Sequence, residues 1–133
     1  MLVKVAEAQG LVLDWLVCKA EGGYDLRLCS TYGAKLAWQY TLVDEEEPDR
    51  RDREYLADTN YSEDWALAGP IIEREKIELK YHDKIVAGIW YRDSIGSDQC
   101  LFKAIGSTPL IAAMRCFCIS KLGEEVEVPD DLS

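Results

Sequence analysis

The chain has 133 residues and a mass of 15.1 kDa, enough for one domain and too little for two good cores. Its 25 acidic residues outweigh 15 basic ones, for a net charge of −10 and a pI near 4.5, which argues against a basic nucleic-acid binder or an anionic-membrane binder. No apolar run reaches the ~18 residues of a membrane span. The N-terminus has no apolar stretch ending in a small-residue cleavage site, so the expectation is a cytoplasmic protein. Hydrophobic content of 48% supplies the core.

Leu11 to Ala20 repeats its apolar residues at helical spacing, at Val12, Leu13, Leu16, Val17 and Ala20, and Gly22-Gly23 follows as a stop. Tyr24 to Cys29 alternates like a half-buried strand, and a second strand is expected from Lys35 to Val43. Residues 44–54 hold seven acids, three bases and Pro48, so no face can join a core and a solvated loop is expected. Gly69-Pro70 is expected to break any helix before it. Lys76 to Tyr81 alternates cleanly, His82-Asp83-Lys84 makes a turn, and Ile85 to Tyr91 returns, which reads as an antiparallel hairpin. A short strand is expected over Gln99 to Ala104.

Thr108 is a good N-cap and Pro109 suits the first helical position, so a helix is predicted over Pro109 to Leu122, ending at Gly123. This helix is apolar nearly all round, the pattern of a helix buried on most sides or shared with a second subunit, and it motivates a homodimer or higher homo-oligomer. Residues 124–133 form an acidic, proline-bearing tail expected to be loosely ordered. The class is therefore α+β: one domain over residues 1–123, an antiparallel sheet of about four or five strands, and two main helices.

The residues offer little catalytic chemistry. His82 is the lone histidine and sits in a turn. No nucleophile elbow, zinc or calcium spacing, or nucleotide-binding glycine motif is present, so neither an enzyme nor a cofactor is expected. The five cysteines include no C-x-x-C and are expected reduced and mostly buried. Cys116 and Cys118 are roughly 200° apart on the helix and should point to opposite sides.

One constellation stands out. Ser107-Thr108 opens the last helix, whose start favours anions. Arg115 lies two turns on, on the same face, and its side chain leans back toward that start. It serves either an anionic ligand or an internal salt bridge to Asp14 or Asp64. Trp65 beside Gly69-Pro70 suits a pocket wall, whereas Trp15, Trp38 and Trp90 suit core packing.

The segments GLVLDWLVCKAEG, YSEDWALAGPIIERE and GSTPLIAAMRCFCISKLGEEVEVPDDL resemble the NinX-like family of small phage and prophage proteins. Matching positions are Asp14, Trp15, Trp65, Gly69, Pro70, Glu73, Arg74, Thr108, Pro109 and Arg115. The resemblance implies a phage protein expressed in the bacterial cytoplasm and brings no specific activity with it. By analogy with other small phage proteins, the expectation is a non-enzymatic binder of a small anionic, nucleotide-like ligand. Such a protein would sequester a host immune signalling nucleotide as an anti-defence device. Ser107, Thr108, Arg74 and Arg115 would hold the anion, and Trp15 or Trp65 the base. The alternative is an acidic module docking a host or phage nucleic-acid-handling protein. Residues 44–54 carry −4 and residues 124–133 carry −5, which leaves the rest of the chain near −1 and able to hold a local anion site.

Overall fold

The computed structural model describes residues 1–22, 27–29, 35–40, 53–55, 60–92 and 94–132, with the backbone alone for 27–29, 35–40, 53–55, 92 and 131. In chain order the elements are β1 (Leu2–Lys4), α1 (Gly10–Ala20), β2 (Arg27–Cys29), β3 (Lys35–Tyr40), β4 (Arg53–Tyr55) and α2 (Trp65–Glu75). They continue with β5 (Glu78–Tyr81), β6 (Ile85–Arg92), β7 (Asp98–Gly106), α3 (Pro109–Leu122) and β8 (Glu125–Glu127). Single turns of 3-10 helix cover Val5–Glu7 and Asp130–Leu132. The α+β class holds, with the strands divided among antiparallel sheets ordered β1-β8, β2-β3-β4 and β5-β6-β7.

The helix α3 is the centre of the molecule. The sheet β5-β6-β7 covers one side of it, α1 covers another, and α2 and the first 3-10 turn also touch it. Leu110, Ala112, Ala113, Met114, Cys116, Phe117 and Cys118 are all buried. Much of its apolar circumference thus packs against the protein's own elements, while Ile111, Ile119 and Leu122 are partly buried. Its boundaries match the sequence reading: the Thr108 hydroxyl accepts the Ile111 N–H at 3.1 Å, and Gly123 follows the last turn with φ 94°. Cys116 leans toward β7, 3.6 Å from the Phe102 carbonyl, while Cys118 faces Cys18 and Asp14 on the α1 side. Gly106 is required where β7 runs into α3, because a Cβ there would lie 2.4 Å from the Ala112 nitrogen.

Three expectations are corrected. Gly69-Pro70 does not break a helix: α2 runs through both residues. Pro70 cannot donate to the Ala66 carbonyl, but both residues are exposed, so that carbonyl is accessible to solvent and the missing bond costs little. Asp64 starts the helix by accepting the Ala66 N–H at 2.9 Å, and Lys76 ends it in the left-handed region with φ 55°. The acidic tail is built into the fold. Val3 pairs with Val126, Val128 and Leu132 are buried, and the Met1 ammonium binds Glu127 at 2.7 Å and Asp130 at 2.8 Å. Within the charged segment, Arg53 and Glu54 belong to β4, opposite Tyr40 and Gln39, while 44–52 lie outside the described residues. The expected strand starts at 24–26 and ends at 41–43 also lie outside them.

The hairpin forms, though its first strand begins at Glu78 because Lys76 caps α2, with Leu79 opposite Ala87 and the His82 N–H donating to the Lys84 carbonyl at 3.2 Å. The strand β7 is longer than expected and carries a bulge, since Ile89 pairs with Phe102 but Trp90 with Cys100.

Candidate functional site

The start of α3 lies in a Gly106-Ser107-Thr108 link between the last strand of the sheet and the helix, with Gly106 buried and Ser107 and Thr108 exposed. Pro109 carries no N–H, Ile111 donates to the Thr108 hydroxyl, and the Ala112 N–H donates to the Thr108 carbonyl at 3.1 Å. Among the described residues the Leu110 N–H has no partner. The first turn therefore keeps one main-chain donor beside the positive end of the helix dipole.

Arg115 reaches back toward this link. Its Nε donates to the Ala8 carbonyl at 2.7 Å and its Nη1 to the Ile105 carbonyl at 2.8 Å. The salt bridge to Asp14 or Asp64 does not form. Asp14 accepts the Ser62 N–H at 2.9 Å, and Asp64 caps α2. Among the described residues no carboxylate lies within ion-pair distance of Arg115. Burial lowers its pKa, with Glu7 opposing that shift from a distance. An open groove of about 480 Å³ borders Ala8, lined between Leu2 and Val12 and including Lys4, Glu7 and Gln9. No sequence signal points to this groove, because β1 is only three residues long and its partner strand lies at the other end of the chain.

The other candidates lie elsewhere. Arg74 sits in the last turn of α2, where both its Nη atoms bind the Glu21 carboxylate and its Nε binds Glu75 at 3.2 Å. Glu21 above all, then Glu75, raises its pKa. Its guanidinium also lies 5.8 Å from the centre of the Phe117 ring. Phe117 and Arg115 are two residues apart on α3, so they face roughly opposite ways. Arg74 and Arg115 therefore serve different sides of that helix. Lys121 joins Glu75 at 3.4 Å, so charges clasp the ends of all three helices. Trp15 is buried in α1, and among the described residues its indole nitrogen has no hydrogen-bond partner. Trp65 is 52% exposed at the first position of α2. The side chain of Trp38 lies outside the described residues.

Among the described residues no three His, Cys, Asp or Glu side chains are grouped to hold a metal, and no helix is long and apolar enough to cross a membrane. A comparison with known families matches residues 4–121 to the family described as bacteriophage P22 NinX. The chain belongs to this NinX family. The match spans all three helices and the sheet β5-β6-β7, including Thr108 and Arg115. No curated protein matches the chain.

Proposed function

We propose that this NinX-family protein is a non-enzymatic binder of a small anionic, nucleotide-like ligand at the start of α3. The observation that carries the reading is Arg115. The residue is half-buried, and among the described residues its hydrogen bonds go to two neutral carbonyls and to no carboxylate. A cation partly withdrawn from water, with Glu7 acting on it only from beyond ion-pair distance, is incompletely compensated, and a bound anion would offset that cost. The Ser107 hydroxyl and the Leu110 N–H supply further donors, and the groove beside Ala8 has room for a ring system. Arg74 and Trp15 are not part of this site, because each is engaged elsewhere in the fold. In an infected cell a stoichiometric binder of this kind withdraws a host signalling nucleotide from the cytoplasm.

Calorimetry against cyclic and linear nucleotides, with inorganic phosphate and the free nucleosides beside them, tests this. At least one nucleotide should bind with Kd below about 100 μM, near −5.5 kcal/mol. Arg115→Gln should weaken it about tenfold or more, the value of a charge-assisted contact. Arg74→Ala should leave it unchanged. No nucleotide binding below that limit overturns the proposal.

A further inference from the structure

The face of β5-β6-β7 turned away from α3 has its own organisation. Strand register places Lys80, Val86 and Ile105 on one rung, Glu78, Gly88 and Lys103 on the next, and Trp90 with Cys100 on the third. The Trp90 indole folds back over Gly88. A Cβ on that glycine would lie 2.8 Å from the indole nitrogen, so the missing side chain is what lets the ring lie there. The Lys80 ammonium stands 4.4 Å from the ring centre. Glu78, Lys80, Trp90 and Asp98 line a cleft of about 340 Å³. Beside it Leu101 and Ile105 are exposed by 52% and 45%.

An aromatic face attracts cations through its quadrupole, and Lys80 shows that this ring holds one. Two carboxylates at the cleft strengthen that preference and disfavour a phosphate. Lys80 is an exposed, flexible side chain, so moving it aside costs little. A guanidinium is planar and less strongly hydrated than an ammonium, so it stacks on an indole better and pairs with carboxylates through two bonds. With Lys80 displaced, the cleft lining keeps only acidic charge, which is complementary to a basic partner. We infer that this sheet face docks an arginine-bearing basic segment of another protein, its guanidinium stacking on Trp90 and pairing with Glu78 in place of Lys80. The exposed Leu101 and Ile105 would receive apolar neighbours of that arginine.

The test titrates the full chain with an acetylated, amidated Gly-Arg-Gly peptide and with its neutral citrulline counterpart, read from the Trp90 indole N–H resonance and by calorimetry. The arginine peptide should shift that resonance saturably and the citrulline peptide should not. Lys80→Gln should tighten binding about threefold or more, the scale of one cation–π contact. Lys103→Gln, which removes the same charge from the same face outside the cleft, should have a smaller effect. Trp90→Leu should abolish binding, as should Gly88→Val, which displaces the indole and leaves every charge in place. No saturable shift, equal effects of the two lysine variants, or binding that survives Trp90→Leu would each overturn the inference.

Discussion

The Asp14 carboxylate accepts the main-chain N–H of Ser62 at 2.9 Å, joining α1 to the turn before α2 across 48 residues. Burial is the main cause of its raised pKa, and the Ser62 backbone and hydroxyl bonds oppose that shift. The folded state therefore keeps the Asp14 proton to a higher pH than the unfolded chain, whose value lies near 3.8. Stability from this group falls as pH rises from about that value through the folded pKa, then stays level.

Asp14→Asn keeps an acceptor for Ser62 and removes the titration. Its denaturation midpoint, relative to wild type, should be highest at pH 7 and should decline as pH falls toward 4. Asp14→Ala leaves the Ser62 N–H unpaired and should cost about 1–3 kcal/mol at neutral pH. Urea titrations across this range measure both effects.

The link into α3 should tolerate little change. Gly106→Ala places a Cβ against the backbone of Ala112, which cannot move without shifting the helix, and should cost about 3 kcal/mol. Thr108→Ala removes the cap and should cost about 1 kcal/mol, while Thr108→Ser should retain most of it. Thermal unfolding of the three variants should rank them in that order.

Trp15 fills the core, but its indole N–H finds no acceptor among the described residues. Trp15→Phe loses packing and also removes the buried donor, so the two effects offset and the change should stay within about 1 kcal/mol. Trp15→Ala also removes the donor but loses far more packing, and should cost about 3–5 kcal/mol. Chemical denaturation followed by far-ultraviolet circular dichroism distinguishes them.

The thiols should differ sharply in reactivity. Cys18, Cys116 and Cys118 are buried and Cys100 is exposed. Burial pushes the Cys116 thiol up to about 12 and the Cys118 thiol higher still, so neither forms thiolate near neutrality. Brief alkylation at pH 8, read by peptide mass spectrometry, should modify Cys100 and spare Cys18, Cys116 and Cys118 until denaturant is added.

Elements specified by neighbouring residues are legible in the amino-acid sequence alone. Thr108, Pro109 and Gly123 bound α3 because caps act within one helical turn, and the alternation around His82-Asp83-Lys84 defines a hairpin because strand pairing there is local. Pro70 is misleading because its cost depends on whether the Ala66 carbonyl faces water, which is a property of how α2 sits on the core. The tail is misleading in the same way. Its acids suit solvent, yet Val126, Val128 and Leu132 find β1 and the core only after the two ends of the chain meet.

The candidate site divides along the same line. Arg115, Ser107 and Thr108 can be picked out as a cation and hydroxyls at a helix start, since about two turns of α-helix hold them on one face. That Arg115 binds carbonyls 107 and 10 residues away, rather than a carboxylate, follows from the packing of α3 against β7 and the first 3-10 turn. Arg74 is matched to Glu21 across 53 residues, and Trp90 rests on Gly88 with Lys80 over it only once β5 and β6 pair. Composition, periodicity and capping residues specify which segments form and where they stop. Whether a charge meets a carbonyl, a carboxylate or open solvent is decided by contacts between segments far apart in the chain, and those exist only in the folded protein.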